Sequence, residues 1–137
     1  MKQVLLALLT LSGTTFAMGL EALQGDYRLQ LYFGDSTPFQ DDLKIERSPF
    51  GAPSGTMHVP NDFDGKIENI VEIGTQVEFD LLVPKNATRP EMVFHYTAFV
   101  LYPAADNLAG FVTLEKSDGV ATVGHPYVGS FVAFRKK

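Results

Sequence analysis

The sequence predicts an all-β fold: a single antiparallel up-and-down barrel of eight strands, with a β-sandwich as the alternative. Three observations lead to this reading. Beyond residue 17 the hydrophobic rhythm has a period of two, which marks strands with one buried face. Twelve glycines and eight prolines punctuate the chain, many of them between alternating runs. The connections are mostly short, so consecutive strands pair as a meander. Wrapping such a sheet onto itself removes its two exposed edges.

The first strand is Tyr27–Phe33, with Tyr27, Leu29, Leu31 and Phe33 on one face and Arg28 and Gln30 on the other. Gly34-Asp35-Ser36-Thr37-Pro38 ends it. A short second strand sets Leu43 and Ile45 against Asp42, Lys44 and Glu46. The turn-rich stretch Ser48–Gly55 follows, then a third strand in which Met57 and Val59 alternate with Thr56 and His58. After the turn Asn61-Asp62-Phe63-Asp64-Gly65, a fourth strand runs from about Lys66 to Ile73. Its adjacent apolar pair, Ile70 and Val71, breaks the alternation and marks a candidate bulge. Gly74-Thr75 is short enough for a tight hairpin. In the fifth strand Val77, Phe79, Leu81 and Val83 alternate with Gln76, Glu78 and Asp80. Pro84–Pro90 is a loop, and Met92–Tyr102 is the longest strand, apolar on both faces. Pro103–Asn107 turns the chain into a seventh strand, Leu108–Glu115, which Ser117-Asp118-Gly119 ends. Val128–Arg135 is the eighth.

The amino-terminal end differs in character. Lys2 precedes the apolar run Val4–Leu11, and small and polar residues follow as far as Ala17. This is the layout of a secretory signal, with Thr15 and Ala17 at the small-residue positions before the cut. Residues 1–17 are expected to be removed, leaving one domain over 18–137. The apolar run is far shorter than the ~20 residues of a spanning helix, so no transmembrane segment is expected after cleavage. The chain has no cysteine, which excludes disulfides, a lipid anchor on the leader and thiol-based metal or redox chemistry. These features fit a periplasmic or secreted protein of bacterial origin. In that setting the Asn86-Ala87-Thr88 glycosylation pattern has no use. A net charge of −5 argues against nucleic acid, whose binders present clustered basic surface. The one basic cluster, Arg135-Lys136-Lys137, reads as a solvated tail.

The opening Leu23-Gln24-Gly25-Asp26-Tyr27-Arg28-Leu29 resembles that of the calycin group, which includes lipocalins and avidins. There a Gly-x-Trp motif begins the first strand and plugs the barrel base. Tyr27 stands in the place of that tryptophan, and the chain has no tryptophan. Val128-Gly129-Ser130-Phe131-Val132-Ala133-Phe134-Arg135 is similar to a closing strand, with Arg135 as a cover for the base. The resemblance implies a barrel and a habit of binding small molecules.

No catalytic constellation emerges, and a non-catalytic role is expected. His58, His95 and His125 are scattered, without a second ligand at an established metal spacing, so neither a metal nor a cofactor is expected. His95 reads as a hydrogen-bonded or half-exposed residue and His125 as a solvated one. Asp62-x-Asp64-Gly65 has part of a calcium loop's spacing. Pro60 and Val71 stand where its first and last ligands belong, so it reads as a polar turn. Ser54 is displaced by one from the nucleophile-elbow position. Asp41 and Asp42 are adjacent strand residues on opposite faces, and both read as surface carboxylates.

The expected function is therefore binding. The inward rows would line a site for a small apolar or amphipathic ligand through Tyr27, Leu29, Leu31, Phe79, Phe94, Tyr96 and Phe131. The alternative is a protein-interaction module or inhibitor acting through its loops and an apolar sheet face. Val93, Phe99 and Leu101 lie on the second apolar face of the longest strand and are the candidate surface for self-association. A membrane barrel fits poorly, because Arg28, Lys44, Glu46, Glu78 and Asp80 occupy the faces that would meet lipid.

Overall fold

A computed structural model describes residues 23–35, 37–47, 52–101 and 106–137. The expected signal peptide lies outside the described residues, as do 48–51 of the second turn and 102–105 after the sixth strand. The strands are β1 (Gly25–Tyr32), β2 (Phe39–Arg47), β3 (Pro53–Val59), β4 (Phe63–Ile73), β5 (Gln76–Val83), β6 (Met92–Leu101), β7 (Asn107–Ser117), β8 (Val120–Ala121) and β9 (Tyr127–Arg135).

Strands β1 to β6 pair in chain order, all antiparallel, and β9 lies between β1 and β7. The pairing of β6 with β7 closes the ring, so the chain is an eight-stranded barrel and not a sandwich. The two-residue β8 is an addition that pairs only with Lys116 and Ser117 at the end of β7. Among the described residues no helix is long and apolar enough to cross a membrane.

Local sequence accounts for the irregular points. The β4–β5 register shifts between Glu68 and Val71, where the alternation fails, and Asn69 takes a φ of +54° there. Asparagine tolerates that left-handed conformation better than most residues, and a bulge needs it. The hairpin at Gly74-Thr75 joins Ile73 directly to Gln76, with Gly74 at a φ of +64°. Gly110 answers a different need. A Cβ there would run into the Thr97 carbonyl, so only glycine lets β7 lie this close to β6.

The inward rows fill the barrel: Leu29, Leu31, Leu43, Ile45, Met57, Ile67, Val77, Phe79, Leu81, Tyr96, Leu108 and Phe131 are all buried. Phe79 stacks on Tyr96 with ring centroids 4.9 Å apart, and Phe131 tilts against the other side at 5.3 Å. Such ring pairs add ~0.5–1.5 kcal/mol each beyond area burial.

Two sequence expectations need correction at the barrel base. Arg135 is not part of a solvated tail, although Lys136 and Lys137 are exposed. The Arg135 guanidinium lies over the Tyr27 ring, 5.1 Å from its centroid, and donates to the Tyr27 hydroxyl at 2.8 Å and to the Gln24 carbonyl. Lys136 pairs with Asp42 at 2.6 Å. The stretch Ser48–Gly55 is also not turn throughout, because β3 already begins at Pro53. Tyr27 is fully buried and donates its own hydroxyl proton to the Leu23 carbonyl at 2.9 Å. Burial raises its pKa, against the opposing pull of the Arg135 charge. The first-strand aromatic and the last-strand arginine thus plug one end.

Candidate functional site

The opposite end carries the loops after β1, β3, β5 and β7. A cavity of about 230 Å³ opens there, lined from almost every side of the ring. Leu31 comes from the end of β1 and Phe33 from just beyond it, Phe39 and Asp41 from β2, and Val59 from β3. Phe63 begins β4, Leu81 and Val83 end β5, and Met92, Phe94 and Tyr96 descend β6. Val112 and Val128 complete the wall, and Asp62 and Arg89 stand on loops. An engineered apolar cavity of ~150 Å³ admits benzene, so this one has room for a single ring with a short substituent.

The sequence misplaces one of these residues. Asp41 is not a surface carboxylate. It does point away from Asp42, but its face is the inner one, and it is only 5% exposed. The reason is the length of β2. The strand begins at Phe39, so the alternation Asp41-x-Leu43-x-Ile45 continues inward with Leu29 opposite Asp41 on β1. The Asp41 Oδ1 atom is buried with no hydrogen-bond partner among the described residues. Burial, then the charge of neighbouring Asp42, pushes its pKa up to about 6, with Asp62 adding to the rise and His58 opposing it. Tyr96, two percent exposed, has its pKa raised by burial and by Asp41, and its hydroxyl reaches only the Met57 sulfur at 3.8 Å.

Arg89 closes one side of the mouth. It donates to both Asp62 carboxylate oxygens at 2.9 and 3.1 Å and to the Pro84 carbonyl at 3.2 Å, and it stacks over the Phe63 ring. Its charge is therefore matched by Asp62, although its buried Nε has no partner among the described residues. Phe33 and Phe39 meet edge to face at 5.4 Å beside the opening.

Of the residues expected to line a ligand site, Leu31, Phe94 and Tyr96 reach the cavity. Tyr27, Leu29, Phe79 and Phe131 are buried core. Val93, Phe99 and Leu101 share the outer face of β6 but are not brought together. Val93 is half-buried in a polar outer groove, six residues, or roughly 20 Å, from Phe99. Phe99 and Leu101 are exposed near the base, with Phe111 and Phe134 exposed on β7 and β9.

The outer groove is lined by Glu68, Asn69, Asp80, Leu82, Val93, His95, Glu115 and Lys116. Three of its polar groups, Asn69, Asp80 and His95, bond to one another. His95 bonds Asp80 at 2.8 Å and Glu78 at 3.3 Å, and Asn69 donates to Asp80 at 2.9 Å. Burial alone depresses the His95 pKa, but the two carboxylates outweigh it and the net shift is upward. His58 pairs with Asp64 across β3 and β4, and His125, on the loop before β9, pairs with Glu115 at 2.9 Å. Among the described residues no group of three or more acids and histidines is placed to hold a metal ion.

Set beside known proteins, the chain matches no family model, no curated protein and no solved structure.

Proposed function

We propose that this protein is an exported, non-catalytic calycin-like barrel that holds a small amphipathic molecule in its mouth. The observation supporting this is the cavity itself. Apolar side chains from all eight barrel strands surround a space of about 230 Å³, at the end of the barrel opposite the Tyr27–Arg135 plug. Concave, mostly apolar sites with a few polar groups are the usual form of a small-molecule site. The Tyr27–Arg135 closure of the far end, built from the residue positions that carry the calycin resemblance, supports the same reading.

The test is a titration of the folded protein with 2-phenylethanol, followed by amide and methyl chemical shifts. Shifts confined to residues such as Leu31, Val83 and Val112 support the proposal. Enlarging Val112 to Phe should fill the space and weaken binding at least about tenfold while the far-ultraviolet spectrum stays β-type. Absence of any saturable shift in the cavity would overturn the proposal. Native mass spectrometry of the protein from its own host would report a retained molecule directly. The same spectrum reads the self-association expected from the outer face of β6, and Phe99→Asp should then shift a dimer to monomer.

A further inference from the structure

We infer that the ligand of the mouth cavity is a cation, an ammonium or similar charged hydrogen-bond donor on an apolar body, and that Asp41 is the residue that recognises it. This rests on reading the mouth as a binding site.

A carboxylate in an apolar interior is costly unless it is paired. Asp41 sits among Leu29, Leu31 and Tyr96, and its Oδ1 accepts no hydrogen bond from the described protein. Asp62, the other acid at the mouth, already holds Arg89 in two hydrogen bonds. Asp41 is thus an acceptor to which no described residue supplies a partner. The groups around it offer no substitute. The Tyr96 hydroxyl is aimed at the Met57 sulfur, His58 is tied to Asp64, and Asp42 and Asp62 are themselves acidic. Replacing Asp41 by a leucine would suit a solid core, so an unpaired acid here is a local rule broken at a candidate site.

The walls favour the same ligand. Phe94 and Tyr96 line the cavity from β6, and Phe39 and Phe63 stand nearer its opening. Aromatic faces attract cations, and more strongly when water is excluded. A donor with a positive charge gains both this attraction and a charge-assisted bond to Asp41. An anion meets the Asp41 carboxylate instead.

The acidity of Asp41 adds a dependence on pH. With its pKa near 6 the carboxyl is ionised at pH 7.5 and about nine-tenths protonated at pH 5. A ligand that needs the ionised form should bind about tenfold more weakly at the lower pH. His58, Asp42, Asp62 and Arg89 are the other charged or titratable groups near Asp41, so the comparison needs a variant that lacks only the Asp41 titration.

The experiment compares three probes of one shape: 2-phenylethylamine, 2-phenylethanol and phenylacetate, each titrated into the full chain by calorimetry or chemical shift. At pH 7.5 the amine should bind at least about tenfold more tightly than the alcohol, as expected for a hydrogen bond to a charged group. The carboxylate should bind least. Asp41→Asn should bring the amine to within about threefold of the alcohol and abolish the pH effect. An amine no tighter than the alcohol overturns the inference, as does a pH effect that survives in Asp41→Asn. Tightest binding of phenylacetate also overturns it and makes Arg89 the recognition group. In each of those cases the cavity still binds the alcohol, and the binding reading stands. If none of the three binds, the binding reading itself fails. The wild-type ligand order and its pH dependence need no variant, so the result does not depend on how well Asp41→Asn folds.

Discussion

The two ends of this barrel use polar groups in opposite ways. At the base, Tyr27 is fully buried, yet its hydroxyl both donates to Leu23 and accepts from Arg135. The same arginine bonds Gln24 and covers the Tyr27 ring. At the mouth, Asp41 is nearly as buried and its Oδ1 has no partner among the described residues. Burial without pairing costs ~1–3 kcal/mol for a polar group and more for a charge. The base is therefore built for stability, and the mouth carries a cost that binding a suitable molecule would remove.

The sharpest way to break this contrast is to remove the base plug. Tyr27→Ala deletes a large, fully buried ring together with two hydrogen bonds and the arginine's platform. The expected cost is ~3–5 kcal/mol, read as a fall in the urea midpoint. The affinity of the folded fraction for 2-phenylethanol should stay within about threefold, because Tyr27 does not line the cavity. A large loss of affinity alongside the loss of stability would show that the ends are not separable.

The second prediction has the opposite sign. Asp41→Asn should stabilise the free protein at pH 7.5. In the folded chain the carboxyl holds its proton up to about pH 6, against a value of 3.8 in its unperturbed state. Between those values the folded state binds more protons than the unfolded one, so the Asp41 contribution falls as pH rises through that window. Above it the penalty is complete and amounts to at most about 3 kcal/mol. Urea unfolding at pH 3.5 and 7.5 checks this. The variant's advantage should be present at the higher pH and nearly absent at the lower. Equal midpoints at both would mean that Asp41 is well accommodated and the mouth is not a site of stored cost.

These two residues also show what a sequence makes visible. Tyr27 was legible because alternation and a glycine before it place it at the start of an inward row. The walls were legible for the same reason, and the failed alternation at Ile70-Val71 located the bulge. Asp41 was hidden because a carboxylate beside another carboxylate, just after a proline-containing turn, has the composition of a surface. Only the extension of β2 back to Phe39 puts it inside, and that extension depends on pairing with β1. The signal was nonetheless present, since Phe39, Asp41, Leu43 and Ile45 are spaced by two. Arg89 was illegible, because its partners Asp62 and Pro84 are set by how two mouth loops meet. The roles of Arg135 divided: the resemblance placed it at the base, while composition alone counted it with a tail.

A smaller effect on the wall tests whether the Asp41 argument follows from being unpaired rather than from being acidic. His95 lies on the outer face of β6 with its side chain 27% exposed, and it titrates between two carboxylates that do pair with it. Its folded pKa is raised above 6.5, so its contribution is fully present below that value and is lost as pH rises through the folded pKa. The slope has the same sign as that of Asp41, but it falls in the adjacent, higher window and has the opposite meaning. Ionising His95 forms a favourable pair, whereas ionising Asp41 creates an unmatched charge. His95→Gln should therefore cost about 0.5–1 kcal/mol near pH 5.5 and almost nothing at pH 9. Asp41→Asn should do the reverse, gaining at high pH and not at low. If both variants shifted stability the same way at neutral pH, the distinction between a satisfied charge on the wall and an unsatisfied one in the mouth would not hold.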